Sequence, residues 1–333
     1  MHIERVDPAD LDLDVAEEVA DLRRTALADV DVQQDSGPAL LLAVTVGDGE
    51  PANQQILLAR DPSTGSGGTG NRLVGWAWTT EPRREYTDTV FVAGCVAPDQ
   101  QRRGIGRALL EELVRGTERT RLRTRAWEGT PGTTVLPAWG FRATHTHAVR
   151  RLRLDEPDPA WPGLRREAEA AAADYELVRR VGRTPEADLP EMVALREAIN
   201  DAPDALEYEA YPPERIAAYE QALERRRQTQ YAVVARHRGT GEPAGLTLCD
   251  VDEFSPSVAH QEDTSVVRAH RGHRLGLLLK LDMIDWLRQE RPEVTATETW
   301  NDVTNHHMIA VNERLGMRAV ARTTAYSRPV GPS

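Results

Sequence analysis

One long segment occurs twice in this chain. "VAPDQQRRGIGRALLEELV", starting at Val96, and "VVRAHRGHRLGLLLKLDMI", starting at Val266, align without a gap. Each has an apolar strand-like run, a loop of glycine and basic residues, and then a helical pattern. Two more anchors follow in the same order. "RTRAWEG" at Arg123 pairs with "TATETWN" at Thr295, which lays Trp127 on Trp300. "LPAWGFRA" at Leu136 pairs with "VNERLGMRA" near Val311, which lays Gly140 on Gly316. Ordered anchors of this kind imply a duplicated domain. The 333 residues leave room for two domains, each with a core of its own.

Pattern and punctuation divide the chain accordingly. The first half reads as a strand at His2–Val6, a helix from Pro8 to Ala28, and strands at Gln55–Arg60, Arg72–Thr80 and Thr87–Ala97. A helix from Gly104 to Arg115 and a strand at Leu122–Trp127 follow, while apolar Pro38–Val46 fits no element clearly. "PSTGSGGTGN" reads as a flexible hairpin loop. After Leu154 comes a proline-rich connector and a linking helix, "LRREAEAAAAD". The order then restarts with a strand at Tyr175–Arg180, a helix in "TPEADLPEMVALREAIN" and another at Pro213–Arg227. Strands at Tyr231–Arg236, Ala244–Val251 and Ala259–Arg268, a helix at His273–Gln289, a strand at Val294–Trp300 and a helix at Asn305–Leu315 complete it. The domains expected are 1–154 and 174–333, joined by a linker with a helix at 155–173.

Bulk properties exclude several classes of function. The net charge of −12 argues against a nucleic-acid backbone as partner and suits a cationic one. No apolar run approaches the ~18 residues of a membrane span, and no charged-then-apolar leader opens the chain, so a cytoplasmic protein is expected. Cys95 and Cys249, the two cysteines, lie in apolar runs and read as buried free thiols, with no disulfide and no metal site. Lys280 is the single lysine, and every other basic side chain counted among the 41 is arginine.

A strand that ends in a small, basic loop and turns at once into a helix aims unpaired amides and the helix dipole at an anion. Gly104 and Gly106 keep Cβ atoms out of the way of a bulky anion. The spacing is neither G-x-G-x-x-G nor G-x-x-x-x-G-K-[ST], so dinucleotide and P-loop readings fail. The segment Gln101-Arg102-Arg103-Gly104-Ile105-Gly106 instead resembles the pyrophosphate loop [RQ]-x-x-G-x-[GA] of the GNAT superfamily of acyl-CoA N-acyltransferases. The resemblance takes in the preceding Val96-Ala97-Pro98, the following helix and the element order of both halves. A tandem layout of this kind is shared by mycothiol synthase. It implies an α/β (α+β) fold: two GNAT-like domains, each a mixed, mostly antiparallel sheet of six to seven strands flanked by helices. It also implies acetyl-CoA as co-substrate, no metal, and a small-molecule amine as acceptor. Nothing in the pattern separates a monomer from a homodimer.

The two copies are not equivalent. The second loop reads Arg271-Gly272-His273-Arg274-Leu275-Gly276, with arginine where the first glycine belongs. Charge-assisted bonds from Arg271 and Arg274 are expected to stand in for close backbone approach. The resemblance thus assigns coenzyme binding to Val96, Ala97, Arg102, Arg103, Gly104, Ile105, Gly106 and Arg107 in the first half. In the second half it assigns Val266, Val267, Arg271, Gly272, His273, Arg274, Leu275 and Gly276. Asn301, Asn305, Met308 and Asn312 recur at helical spacing, and the resemblance places Asn301 and Asn305 on the pantetheine arm. The alternative is an N-cap, a core methionine and solvated asparagines. Where many family members place an acidic tyrosine, this chain has Leu136 and Asn312. Tyr326, on the final strand, is the nearest tyrosine and reads equally as packing.

Acyl transfer to an amine needs a base for the ammonium, a donor for the oxyanion and a proton for the thiolate. The resemblance puts the base on the strand containing "AHQEDTSVV". Alternation sets His260, Glu262 and Thr264 on one face and Gln261, Asp263 and Ser265 on the other. Glu262 is nominated first, Asp263 second and His260 third, with a solvated strand end as the alternative. The oxyanion donor is expected among the amides of Val266 and Val267. "EYEAYPPE", Glu207–Glu214, falls where family members bind the acceptor. The expectation is an acyl-CoA-dependent N-acetyltransferase with its chemistry in the second half. The competing reading is a non-catalytic acyl-CoA-binding or assembly module.

Overall fold

Residues 1–62, 71–201 and 208–330 are described by the structure, a computed structural model. Most of the glycine-serine hairpin loop, and Glu207, lie outside the described residues. The chain forms two units, Met1–Thr146 with Ala321–Ser333, and His147–Val320.

The first unit contains β1 (His2–Val6), α1 (Leu13–Ala26), α2 (Gly37–Val46), β2 (Ala52–Asp61), β3 (Arg72–Pro82) and β4 (Thr89–Val96). Then come α3 (Ile105–Leu113), β5 (Arg121–Trp127) and α4 (Gly132–Ala138). β6 (Arg142–Arg153) begins in this unit, and from His147 on its residues belong to the second. The second unit continues with α5 (Trp161–Ala171), β7 (Tyr175–Val181), α6 (Leu189–Glu197), α7 (Pro213–Arg225), β8 (Gln228–His237) and β9 (Pro243–Asp252). It ends with β10 (Val258–Val266), α8 (Leu275–Glu290), β11 (Ala296–Asp302) and α9 (His306–Arg314). β12 (Arg318–Pro329) starts there and belongs to the first unit from Ala321 on.

The unassigned stretch Pro38–Val46 is helix α2. The Ser36 hydroxyl accepts from the Ala39 amide at 3.4 Å, and Pro38 pre-sets the first turn. It is apolar all round, so it shows no face for periodicity to detect. The first helix starts later than its proline suggested. Pro8–Asp10 is a short 3-10 turn, and α1 begins after Asp12, whose carboxylate accepts from the Val15 amide at 2.8 Å.

Strand order is β1-β2-β3-β4-β5-β12 in the first unit and β6-β11-β10-β9-β8-β7 in the second. The β4–β5 and β10–β11 pairs are parallel, and their neighbours are antiparallel. This is the mixed, mostly antiparallel class that was expected. The final strands are exchanged, however. Thr323–Pro329 of β12 pairs with Trp127–Arg121, and His147–Arg153 of β6 pairs with Asp302–Ala296. The units therefore differ from a cut at Leu154. Both strands follow the same helix-ending glycine and alternate in the same way, so period-2 pattern alone does not decide which edge each joins.

Equivalent hydrogen bonds test the repeat. Ala97 N to Val74 O and Val267 N to Ala244 O are both 2.9 Å, so the Val96–Val266 anchor holds. Phe141 N to Leu136 O (3.0 Å) and Met317 N to Asn312 O (2.9 Å) match Leu136 with Asn312 and Gly140 with Gly316. The tryptophan anchor is out of register. Arg121 N bonds to Asp88 O and Ala296 N to Ser257 O, which puts Asp302 opposite Trp127 and Arg125 opposite Trp300. A two-residue slip keeps every side chain on its own face, so strand pattern did not reveal it.

Each unit packs helices on both faces of its sheet. In the second, Leu246 and Leu248 of β9 meet Leu189, Met192, Leu195 and Ile216 of α6 and α7. The opposite face of the sheet, with Cys249 and Val251, packs on Leu275, Leu279 and Met283 of α8. Tyr326 lies in the core of the first unit with Val90, Leu122, Ala126 and Phe141, which settles it as packing there.

Candidate active site

The two loops share one backbone path despite their different glycines. In the first, Arg102 (φ 62°) and Gly104 (φ 80°) are left-handed; in the second, Gly272 (φ 90°) and Arg274 (φ 55°) are. Glycine has moved between two positions that both require positive φ. Arg274, which stands where the first glycine was expected, thus keeps the left-handed turn, at a local cost of about 1 kcal/mol for a non-glycine residue there. Gly104 and Arg274 each directly precede a helix, so the leading amides of α3 and α8 (Ile105 and Gly106, Leu275 and Gly276) have no partner within their helices. Gly106 has a second role, since a Cβ there would stand 3.3 Å from the Trp139 ring.

The loop arginines differ in their commitments. Arg103 contacts Gln100 and lies 3.7 Å from Asp61, and Arg107 pairs with Glu111 at 2.9 Å. In the second loop Arg271 donates to Asp201 at 2.6 Å and to Val266 O at 3.1 Å, while Arg268 donates to Asp201 at 2.9 Å. Arg274 pairs with Glu167, which also takes Arg314 at 2.6 Å. An incoming anion competes with these carboxylates for Arg271 and Arg274. The His273 ring packs tilted against the Tyr175 ring, with centroids 5.4 Å apart.

In both units the parallel strands part after three paired residues. Thr89–Phe91 pairs with Arg121–Arg123, and Val258–His260 pairs with Ala296–Glu298. Beyond this the strands splay. The amides of Ala97 and Val267 are spent on Val74 O and Ala244 O. Amide alternation turns Val96 and Val266, one residue earlier, toward the splay. Of the expected oxyanion donors, Val266 therefore qualifies and Val267 does not. In the first unit the splay and loop line a cavity of about 900 Å³ containing Val96, Arg102, Gly104, Trp127, Leu136 and Trp139. Its lining includes no aspartate, glutamate or tyrosine.

The second unit differs at the base position. The β9–β10 register runs His260↔Asp250, Gln261↔Cys249 and then Thr264↔Thr247, so Glu262 and Asp263 form a β-bulge. The bulge overturns the expected alternation. Gln261 and Thr264 both meet Thr247, at 2.8 Å each, while the Ser265 hydroxyl donates to Leu195 O of α6 at 2.6 Å. Asp263 pairs with Arg196 of α6 at 3.2 Å, and Glu262 lies in the field of Arg196 and Asp250. Both acids thus act on the α6–α7 side.

Glu262 is exposed as a residue at the edge of this cluster, while its carboxyl is crowded by the surrounding side chains. Desolvation by the surrounding walls, with Asp250 and Asp263 adding repulsion, pushes its carboxyl up to about 7. Asp250 is only 4% exposed, and burial raises it to about 6 against hydrogen bonds from Gln230 (3.0 Å) and Tyr219 (3.4 Å). Arg196 stacks over Tyr211 and Tyr219 at 4.9 and 5.5 Å, and the Tyr211 hydroxyl donates to Glu209 at 2.8 Å. Burial raises both phenols, which stay protonated. Sequence reasoning singled out the segment with Tyr211 but missed Arg196, Tyr219 and Asp250. An acid inside the apolar run "LTLCDVD" was the available signal for Asp250.

The asparagines do not form one helical stripe. Asn301 is on β11, Asn305 caps α9 by accepting from Met308 N at 3.2 Å, and Asn312 is fully buried. Asn312 donates to Asn301 Oδ1 at 2.7 Å, and its own Oδ1 has no partner. Cys249 is buried and Cys95 half-buried, both free. Among the described residues no cluster of three His, Cys, Asp or Glu could hold a metal ion, and no helix is long and apolar enough to cross a membrane.

A strand splay beside a left-handed turn and a helix N-terminus is thus present in both units. Residues 193–317 match the acetyltransferase (GNAT) family, so the chain carries a GNAT acetyltransferase domain. As a whole it has the tandem GNAT fold. It is similar, at 28% identity over 100% of both chains and a TM-score of 0.77, to a tandem GNAT protein from the clavulanic acid biosynthesis pathway. A GCN5-related N-acetyltransferase from Sphaerobacter thermophilus shares the fold at 17% identity, over 100% of this chain and 96% of that one, with a TM-score of 0.67. So does a glucosamine N-acetyltransferase region in a fungal multi-domain GH3 β-N-acetylglucosaminidase, at 13% identity, 98% and 38% coverage and a TM-score of 0.62. No curated protein matches the chain in sequence.

Proposed function

We propose that the protein is an acyl-CoA-dependent N-acyltransferase, most simply an acetyltransferase acting on a primary amine of a small cationic molecule, with the chemistry in the second unit. The observation that carries this is the β10 bulge. It presents Glu262, exposed as a residue and with its midpoint near neutrality, at the mouth of a strand splay. The second loop and the first turn of α8 suit a diphosphate, and Asn301 and Asn305 lie at the far end of the splayed strand. Bound acetyl-CoA would supply the activated acyl group. Glu262 takes the proton from the acceptor ammonium, a task for which a carboxyl near 7 is a stronger base than an ordinary one. The Val266 amide faces the developing oxyanion. Asp250, Glu262, Asp263 and Glu209 outnumber Arg196, Arg215 and Arg226 around the site, which favours a cationic acceptor.

A second reading applies to the first unit. Its cavity has the glycine turn but no lining carboxylate or phenol, which supports binding of a thioester carrier without turnover. Purified protein with acetyl-CoA and a panel of amines tests both. Thiol release that needs an amine, lost in Glu262→Gln and kept in Gly104→Val, supports the assignment. Turnover that survives Glu262→Gln removes it.

A further inference from the structure

β9 carries two buried acids, Asp250 and Asp252, and Asp250 is the one nearer the bulge that holds the candidate base. The register sets it directly opposite His260, and Glu262 follows two residues further along β10 on the same α6–α7 side. Diagonal neighbours across an antiparallel pair are about 7 Å apart or less, close enough for two carboxylates to sense each other. From α7 the Tyr219 hydroxyl donates to Asp250 at 3.4 Å, and from β8 the Gln230 amide donates at 3.0 Å. No arginine pairs directly with Asp250 among the described residues, because Arg196 is committed to Asp263.

We infer that Asp250 is a positioning residue for Glu262: its charge, held on the same α6–α7 side across the β9–β10 pair, sets the pH at which Glu262 is free to accept a proton. The inference rests on the role proposed for Glu262. The other charged or titratable groups facing the pair are His260 and Asp263 of β10, Arg196 of α6, Tyr211 and Tyr219 beside and on α7, and Arg226 just after α7. Tyr211 and Tyr219 stay neutral, and the arginines stay charged throughout the working range. His260 and Asp263 are therefore the remaining groups able to change the local charge. Burial is the first cause of both raised midpoints, and Asp250 adds repulsion at Glu262.

The test uses the full chain with aspartate and glutamate carboxyls labelled with carbon-13, titrated by NMR without any ligand. In Asp250→Asn the Glu262 midpoint is expected to fall by about one pH unit, because a neighbouring negative charge is gone while the amide keeps its partners. In Glu262→Gln, a change at an exposed residue, the Asp250 midpoint is expected to fall likewise, so the result survives if Asp250→Asn does not fold. Unmoved midpoints in the variants that fold overturn the inference. With acetyl-CoA and an amine that turns over, the acid limb of kcat/KM should move with the Glu262 midpoint in Asp250→Asn. A purely structural Asp250 would lower the rate and leave the limb in place. If Glu262→Gln turns over normally while the NMR midpoints still move together, the base assignment has failed and the coupling has not.

Discussion

Lys280 offers the sharpest test of the energetics. It sits on α8 at 2% exposure, surrounded by core leucines, with no hydrogen bond or ion pair among the described residues. Burial pulls its ammonium from 10.5 down to about 8. A displacement of that size corresponds to a penalty of about 3 kcal/mol on folding while the group is charged in both states. The folded midpoint is the lower one, so the folded state binds fewer protons and stability rises with pH. The penalty is complete below pH 8 and fades as pH climbs toward the unfolded midpoint. Lys280→Met fills similar space without the charge. It is expected to stabilise the protein by about 3 kcal/mol at pH 7, a rise in Tm of about 6–12 °C for a domain of this size. Near pH 10 the gain should shrink to a small fraction of that. Thermal unfolding of both proteins at the two pH values checks it. An unchanged or lower Tm at pH 7, or a gain equal at both pH values, would refute the reasoning. Lys280→Arg should be strongly destabilising, because a guanidinium cannot shed its charge.

Other expectations follow from the same geometry. Replacing Glu262 with Gln should cost about 100-fold or more in kcat and abolish the acid limb of the pH profile, which wild type is expected to show as activity rising through about pH 7; stopped thiol-release assays across pH measure this. Gly104→Ala meets no atom within 4 Å yet keeps φ at +80°, so a loss of about 1–2 kcal/mol from backbone strain is expected in urea unfolding. Thr184→Val removes the hydroxyl that donates to buried Glu220 Oε1 at 2.5 Å, while the Thr184 amide still donates to Oε2; a cost of about 1–3 kcal/mol should appear in the same assay. Burial holds the Cys95 thiol up at about 11 and raises Cys249 further. Both should resist alkylation at pH 8 in the native protein and react at once in denaturant.

Local signals carried much of this protein. The gap-free repeat at Val96 and Val266 specified two copies of one strand–loop–helix unit, and the matched bonds of Ala97 and Val267 bear that out. Glu262 was nominated because the resemblance puts a base on that strand, and in the structure it lies in the field of Asp250 and Arg196. Two readings failed because a period-2 pattern cannot count. It did not register the two-residue slip between Trp127 and Trp300, nor the bulge that turned Asp263 to the side of Glu262. Helix α2 was missed for a related reason, since a helix with no polar face leaves no period to read.

The sequence by itself thus determined the kinds of element, their order, the duplicated loop and the residue types available for chemistry, because these depend on neighbours within a few positions. Tertiary structure alone decided which unit each final strand completes. It also set the burial that raises two carboxyl midpoints toward neutrality and the packing that encloses Lys280 among core leucines. Those depend on desolvation and on fields between residues far apart in the chain, which no local pattern encodes.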